Sequence, residues 1–225
     1  MGAMNPMQDL LDTVARLRAP GGCPWDREQT HESLVRCLQE ETAELIETID
    51  EKDDSHMREE LGDVLLQVVM HAEIAKEKGA FDFNAVAAEI NEKLIRRHPH
   101  VFGNVKAETS EQVLVNWAAI KETEKKNTPQ ALPANALKRP PATLATLLQA
   151  DELIKQLGKR NFTPEGLDPA KVEKIADDLT EEKAAMKLLE IVAACRRAKI
   201  DPESALRKEL RRIADSYDKA SFPVP

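Results

Sequence analysis

Residues 40–77 read EETAELIETIDEKDDSHMREELGDVLLQVVMHAEIAKE, and the spacing of apolar positions in and around this stretch decides the fold. Leu34, Leu38, Leu45 and Ile49 fall on or near one helical stripe, and Leu61, Val64, Leu65, Val68 and Val69 form a second. The polar run EKDDS at 51–55 separates them. This predicts one helix ending near Asp50, a turn, and a second helix from about Ser55 to Lys78 with Gly79 as its cap. Three- and four-residue apolar spacing recurs in nearly every other segment, with no alternating β-branched runs, so the chain is predicted to be all-α.

Toward the N-terminus, a short helix is expected from about Met7 to Arg18, stopped by APGG at 19–22. Asp26 with Gln29 can cap the next helix, and Thr30 is a competing start. Downstream, Asp82 or Asn84 can cap a third helix reaching about Arg97, where Pro99 blocks continuation and HPHVFGN is expected as loop. Thr109 and Gln112 form a capping box for a fourth helix carrying Ile120 and a core Trp117. The proline-bearing NTPQALPANALKRPPAT at 127–143 is the best domain boundary. Two helical hairpins are expected after it, at about Ala142 to Leu157 and Asp168 to Tyr217. The organisation predicted is therefore a first domain at 7–126, a linker at 127–141 and a second helical domain at 142–219. The second half follows the order of the first, with an acidic helix, an apolar helix, a DP or DF cap and a basic helix end, as an eroded repeat would. If DDLTE answers EETAE, the second acidic set is missing; if EEKAA answers EELGD, the aspartate has become Ala185.

The chain has 225 residues and a net charge of −8, and the acidity is concentrated. Residues 1–126 carry 15 lysines and arginines against 25 acids; residues 127–225 carry 17 against 15. All five histidines and both tryptophans lie in the first part, so chemistry is expected there. Such a surface argues against a nucleic-acid polymer as partner, because phosphate backbones require basic stripes. Cys23, Cys37 and Cys195 have neither an even count nor CxxC spacing, which points away from disulfides and structural zinc and toward a reducing cytoplasm. No run of membrane-spanning or signal-peptide character is found, so no membrane association is expected.

On a helix, Glu40, Glu41 and Glu44 span a narrow arc, while Glu60 and Asp63 stack one turn apart. Across a hairpin the five can face one another. Like charges so placed repel unless a cation compensates, and Asp63 sits among the core positions Leu61, Val64 and Leu65. Acidic residues on a helix usually form a solvated face, but two i, i+3 carboxylate couples on adjacent helices are how bundle-core metal sites are built. Oxygen-only ligands suit magnesium, with manganese an alternative; no EF-hand loop pattern is present. Lys93, Arg96 and Arg97 end the third helix, where they serve either as phosphate contacts or simply as cations at the negative end of a helix dipole. Trp25 can stack on a nucleobase or plug the bundle. His98 and His100 are expected to be structural.

EETAE followed by EELGD resembles the EExxE and ExxD signature of MazG-type nucleoside triphosphate pyrophosphohydrolases, within the all-α NTP pyrophosphatase superfamily. GGCPWDREQTHESL before it and KLIRRHPHVFG after it resemble that family's flanks. The likeness covers about Leu10 to Lys125 closely, and from Ala142 onward is similar only to a degraded second MazG-like domain. What the resemblance implies is a four-helix-type bundle domain with a degenerate partner domain, homodimeric, that hydrolyses an NTP or dNTP to the monophosphate and pyrophosphate and so clears unwanted nucleotides. It implies Glu41, Glu44, Glu60 and Asp63 as metal ligands and Glu40 as a further ligand or the base orienting water. Lys93 and Arg97, with Arg96, become phosphate contacts, and Asn91 a base or sugar contact. The competing expectation is a nucleotide-binding regulatory or scaffold protein whose catalysis has decayed.

Overall fold

The computed structural model describes residues 5–126, Pro133 and 136–221, and among these all regular structure is helical. They form two compact units, one up to Ile120 and one from Lys121 onward. The rest of the expected linker, residues 127–132, 134 and 135, lies outside the described residues.

In the first unit, α1 (Pro6–Arg18) starts at Asn5, whose side chain accepts from the Met7 N–H. It stops at the expected APGG. The Cys23 N–H turns back onto the Leu17 carbonyl at 2.8 Å, and a Cβ on Gly22 would sit 2.2 Å from that same oxygen. The next segment differs from expectation. Asp26 lies inside a short α2 (Pro24–Glu28) and caps nothing, and α3 (Val35–Glu51) starts later than either expected position, at Leu34 with no side-chain cap. Thr30 closes the turn before it instead: the Thr30 N–H donates to Ser33 Oγ and the Ser33 N–H to Thr30 Oγ1.

The turn into α4 (Asp54–Glu77) takes two residues. Lys52 is left-handed (φ 58°), and the Asp53 carboxylate accepts from the N–H groups of Ser55 and His56. So short a connection makes α3 and α4 an antiparallel hairpin. α4 ends in a Schellman motif, with Gly79 at φ 70° and the Ala80 N–H on the Ala75 carbonyl at 3.0 Å. Asp82 then caps α5 (Phe83–Arg97) by accepting from the Ala85 N–H. HPHVFGN is not wholly loop: Pro99 opens a single helical turn, α6 (Pro99–Phe102), since its fixed φ suits a first helical position. α7 (Ser110–Lys126) follows, with the Gln112 N–H on Thr109 Oγ1 and the Gln112 side chain reaching back to the Glu108 N–H.

The core of this unit joins Val14 of α1, Leu34, and Val69, Met70 and Ile74 of α4. Leu38, Ile49, Leu61 and Val68, expected on the apolar stripes, are exposed, because no element of the first unit's described residues covers the face of the α3–α4 hairpin that carries them. Trp117 is half-buried rather than core, with the Arg97 guanidinium 5.3 Å from its ring centroid.

The second unit contains α8 (Thr146–Gly158), α9 (Pro169–Ala176), α10 (Glu181–Arg197) and α11 (Pro202–Ser221). α8 and α11 enclose Leu137, Leu153, Leu157, Leu210, Ala214 and Tyr217, with Phe162 edge-on to Tyr217 at 5.1 Å. Neither α9 nor α10 buries a residue fully. α10 ends as α4 does: Lys199 is left-handed (φ 58°), the Ile200 N–H meets the Cys195 carbonyl at 2.9 Å, and Asp201 caps the following helix.

Candidate active site

The tight Lys52–Asp53 turn folds the start of α4 against α3, and the carboxylates meet there. Oxygen atoms of Glu41, Glu60 and Asp63 all lie within 4.8 Å of one another, and all three residues are half-buried. One oxygen of Glu60, Oε2, is fully buried with no hydrogen-bond partner among the described residues. A buried acceptor left unpaired is costly, and a charged one more so.

The electrostatics agree with the geometry. The Glu41 carboxyl is pushed above the usual glutamate range by burial first, then by Asp63, Glu44, Glu60 and Glu40. Glu60 is pushed up by burial, then by Glu44, Asp63 and Glu59, with His56 opposing. Glu44 is itself exposed but near enough to act on both. Glu40 turns outward, its Oε1 accepting from Arg36 Nε at 2.7 Å. The donor set is all oxygen, contains an orphaned acceptor and has no ion pair with a basic side chain among the described residues. It fits a hard divalent cation.

The remaining candidates lie elsewhere in the same unit. Lys93 is half-buried on α5, pairs with Glu89 at 3.4 Å, and borders an open apolar cleft of about 320 Å³ with Phe81, Val86 and Ile90. Arg97 sits over Trp117, while Arg96 and Asn91 are exposed. Trp25, on α2, is 58% exposed and plugs no gap among the described residues of its unit. Near it, Gln29 Nε2 donates to the Trp25 carbonyl. The His98 and His100 rings lie 5.6 Å apart; His98 Nδ1 meets the Leu94 carbonyl, and His100 Nδ1 is buried without a partner among the described residues.

Two features around the site carry no signal in sequence spacing. Arg18, buried at the end of α1, donates from Nε and Nη2 to the two oxygens of Glu77, both at 2.8 Å, and from Nη1 to the carbonyls of Asp26 and Gln29. It pins α2 and the loop before α3 to the end of α4. Second, His31 Nδ1 and His71 Nδ1 approach to 2.9 Å, with rings parallel within 4° and centroids 5.2 Å apart. Parallel planes containing atoms 2.9 Å apart cannot be further apart than that, so the rings meet edge to edge through an N–H···N bond rather than face to face. Burial, then His31, lowers the His71 pKa.

Comparison with known proteins bears on this arrangement. The sequence model of the MazG nucleotide pyrophosphohydrolase domain matches residues 29–102, which span the carboxylates, Asn91 and the α5 cations. The chain is 44% identical to the nucleoside triphosphate pyrophosphohydrolase/pyrophosphatase MazG of Thermotoga maritima, over 94% of this chain and 84% of the relative. It is 41% identical to the nucleoside triphosphate pyrophosphohydrolase of Escherichia coli K12, over 79% of this chain and 66% of that protein. A crystal structure of a MazG-related protein from Thermotoga maritima aligns with a TM-score of 0.45 at 28% identity, covering 51% of this chain and 98% of that one. The chain belongs to the MazG family of nucleotide pyrophosphohydrolases.

Proposed function

We propose that the protein hydrolyses ribo- or deoxyribonucleoside triphosphates between the α and β phosphates, releasing the monophosphate and pyrophosphate, and so clears unwanted nucleotides. The observation that carries this reading is the meeting of Glu41, Glu60 and Asp63 with one glutamate oxygen buried and unpaired. These three, with Glu44 at the edge, would hold Mg2+, or Mn2+ in its place. A divalent cation there supplies neutralisation of triphosphate charge and a lowered pKa for bound water. The residues of the chain do the rest. Lys93, Arg96 and Arg97 meet phosphate charge that the carboxylates would otherwise repel, Asn91 contacts base or sugar, and Trp25, already exposed, stacks on the base. Glu40 is a further ligand or the base that takes the proton of the attacking water; either role requires it to leave Arg36.

The same reading includes a homodimer closed over the apolar face of α3 and α4, and a cytoplasmic location consistent with three free cysteines. It also treats the second unit as a degenerate repeat. Counting back from the matching helix ends at Gly79 and Lys199 places Thr180 opposite Glu60 and Lys183 opposite Asp63. Lys183 pairs with Asp178 at 2.5 Å, so in this correspondence a paired lysine replaces the aspartate in sequence. This favours a second reading for that unit alone, in which catalysis has decayed and a binding or scaffold role remains.

The test is incubation with Mg2+ and a panel of canonical, deoxy and modified triphosphates, with products resolved by phosphorus NMR. Pyrophosphate as the sole inorganic product is expected. Orthophosphate with a diphosphate would reject the cleavage site, and turnover surviving both Glu41→Ala and Asp63→Ala would reject the assigned ligands.

A further inference from the structure

The second unit contains a cavity of about 210 Å³ whose wall holds four basic side chains, Lys138, Arg139, Arg207 and Arg211, and no carboxylate among the described residues. In a chain of net charge −8 this concentration of cations in one concavity is unusual. Its floor is apolar, formed by Leu153, Leu210 and Ala214 of the unit's core.

The wall is built rather than incidental. On α11, Arg207, Leu210, Arg211 and Ala214 follow at three- and four-residue spacing, so one helix face presents cations and floor together. The opposing wall is irregular backbone, which would be free to collapse into the cavity if nothing held it. Gln156, only 8% exposed, holds it: the Lys138 N–H donates to Gln156 Oε1 at 2.8 Å, and Gln156 Nε2 donates to the Lys138 carbonyl at 2.9 Å. Arg160 adds a bond from Nη2 to the Ala136 carbonyl at 3.0 Å. Side chains thus fix the main chain on both sides of Leu137.

The four cations are not equally committed. Arg139 bonds Asp215 and Asp218 at 2.9 and 2.8 Å, and Arg207 meets Glu203 at 3.5 Å. Lys138 and Arg211 make no ion pair among the described residues. Two cations over an apolar floor suit an anion that also carries an apolar body, and the arginine fork suits a phosphate in particular.

We propose that this cavity binds a nucleoside monophosphate, its phosphate between Lys138 and Arg211 and its nucleoside on the floor of Leu153, Leu210 and Ala214. At about 210 Å³ the cavity encloses the phosphate and part of the nucleoside, with the rest of the ligand in its open mouth, which leaves no room for a larger phosphate ester inside. Nothing in this argument uses the carboxylates of the first unit, and it stands whether or not they turn over a triphosphate.

The experiment is calorimetric titration of the full-length protein with each of the four ribonucleoside monophosphates and, separately, with inorganic phosphate, in the presence of a chelator so that the carboxylate site binds no metal. Saturable binding of at least one monophosphate is expected, tighter than phosphate alone, weakened about tenfold or more in Lys138→Glu and Arg211→Glu and unchanged in Asp63→Asn. Circular dichroism of the variants checks their folding. Methyl NMR of the unsubstituted protein gives an independent readout, with shifts expected at Leu153 and Leu210. No binding at millimolar ligand, binding lost in Asp63→Asn, phosphate binding as tightly as the nucleotide, or methyl shifts confined to the first unit would each overturn the proposal.

Discussion

Glu60 and Glu41 show how a single charge state links stability to chemistry. Both carboxyls titrate above the ordinary glutamate value of 4.5 in the folded chain. Between that value and the raised one, the native state holds more protons than the unfolded state, so stability falls as pH rises through the window and the deficit persists at neutrality. Glu41→Gln removes one repelling charge. Its thermal midpoint in chelator is expected to exceed that of the parent, while turnover with Mg2+ falls at least about a hundredfold; added Mg2+ is expected to raise the midpoint of the parent only. The opposite sign applies at His71, whose pKa is lowered from 6.5. As pH falls through 6.5 the unfolded chain takes up a proton that the native one refuses, so stability is lost toward acid, with a slope of at most about 1.4 kcal/mol per pH unit from this group. Urea midpoints between pH 7.5 and 5.5 should show this in the parent and less of it in His71→Gln. The meeting of Glu41, Glu60 and Asp63 was legible because helical spacing sets them on facing helices, whereas spacing did not show that Glu40 turns to Arg36 or that Glu44 stays outside the cluster. The His31–His71 bond was not, since it joins residues 40 apart in sequence whose meeting depends on how the loop before α3 lies on α4.

Helix ends carry the fold at the next scale. Asp82 and Thr109 cap where expected, and Asp53, expected only as part of a polar turn, caps as well, because a carboxylate or hydroxyl at the first helical turn needs only local geometry. Asp26 failed as a cap for a non-local reason. Its segment is drawn into α2, whose last carbonyls face Arg18, and that guanidinium links α1, α2 and α4 at once. With a side chain only 4% exposed and both oxygens of Glu77 engaged, Arg18 is not replaceable by a point charge. Arg18→Lys and Arg18→Ala should both destabilise, the latter by about 2–3 kcal/mol in denaturant titration. Gly22→Ala tests the same junction from the backbone side. The added Cβ would fall 2.2 Å from the Leu17 carbonyl oxygen and 2.5 Å from that of Arg16, neither of which is a flexible side-chain end. A loss of about 1–3 kcal/mol is expected. The glycine was legible as a helix stop but not as a close-approach residue, which only the returning Cys23 N–H makes it.

At the scale of the molecule, the apolar positions that were expected in the core and are exposed define what a single chain leaves undone. Ile49 on α3 and Leu61 on α4 are each more than half exposed, on the same hairpin that holds the carboxylates, and so is Ile46, which lies off the expected stripe. Periodicity marks Ile49 and Leu61 as positions on apolar stripes, but it does not say whether their cover is the same chain or another. A second copy laid over this hairpin would bury four isoleucines from these two positions alone. At about 1.5–3 kcal/mol for burying each from full exposure, and with each already about half buried, that is roughly 3–6 kcal/mol, a substantial part of the roughly 8 kcal/mol that a micromolar dimer represents. The double substitution Ile46→Glu, Ile49→Glu should therefore shift the protein from dimer to monomer in sedimentation velocity at tens of micromolar, with helical content retained because both positions are already solvent-facing within the chain. Turnover is expected to fall with the dimer if the partner copy shapes the site, since α3 carries both the substituted positions and Glu41. A parent protein that sediments as a monomer at those concentrations would remove the dimer, and the exposed hairpin face would then require a different cover.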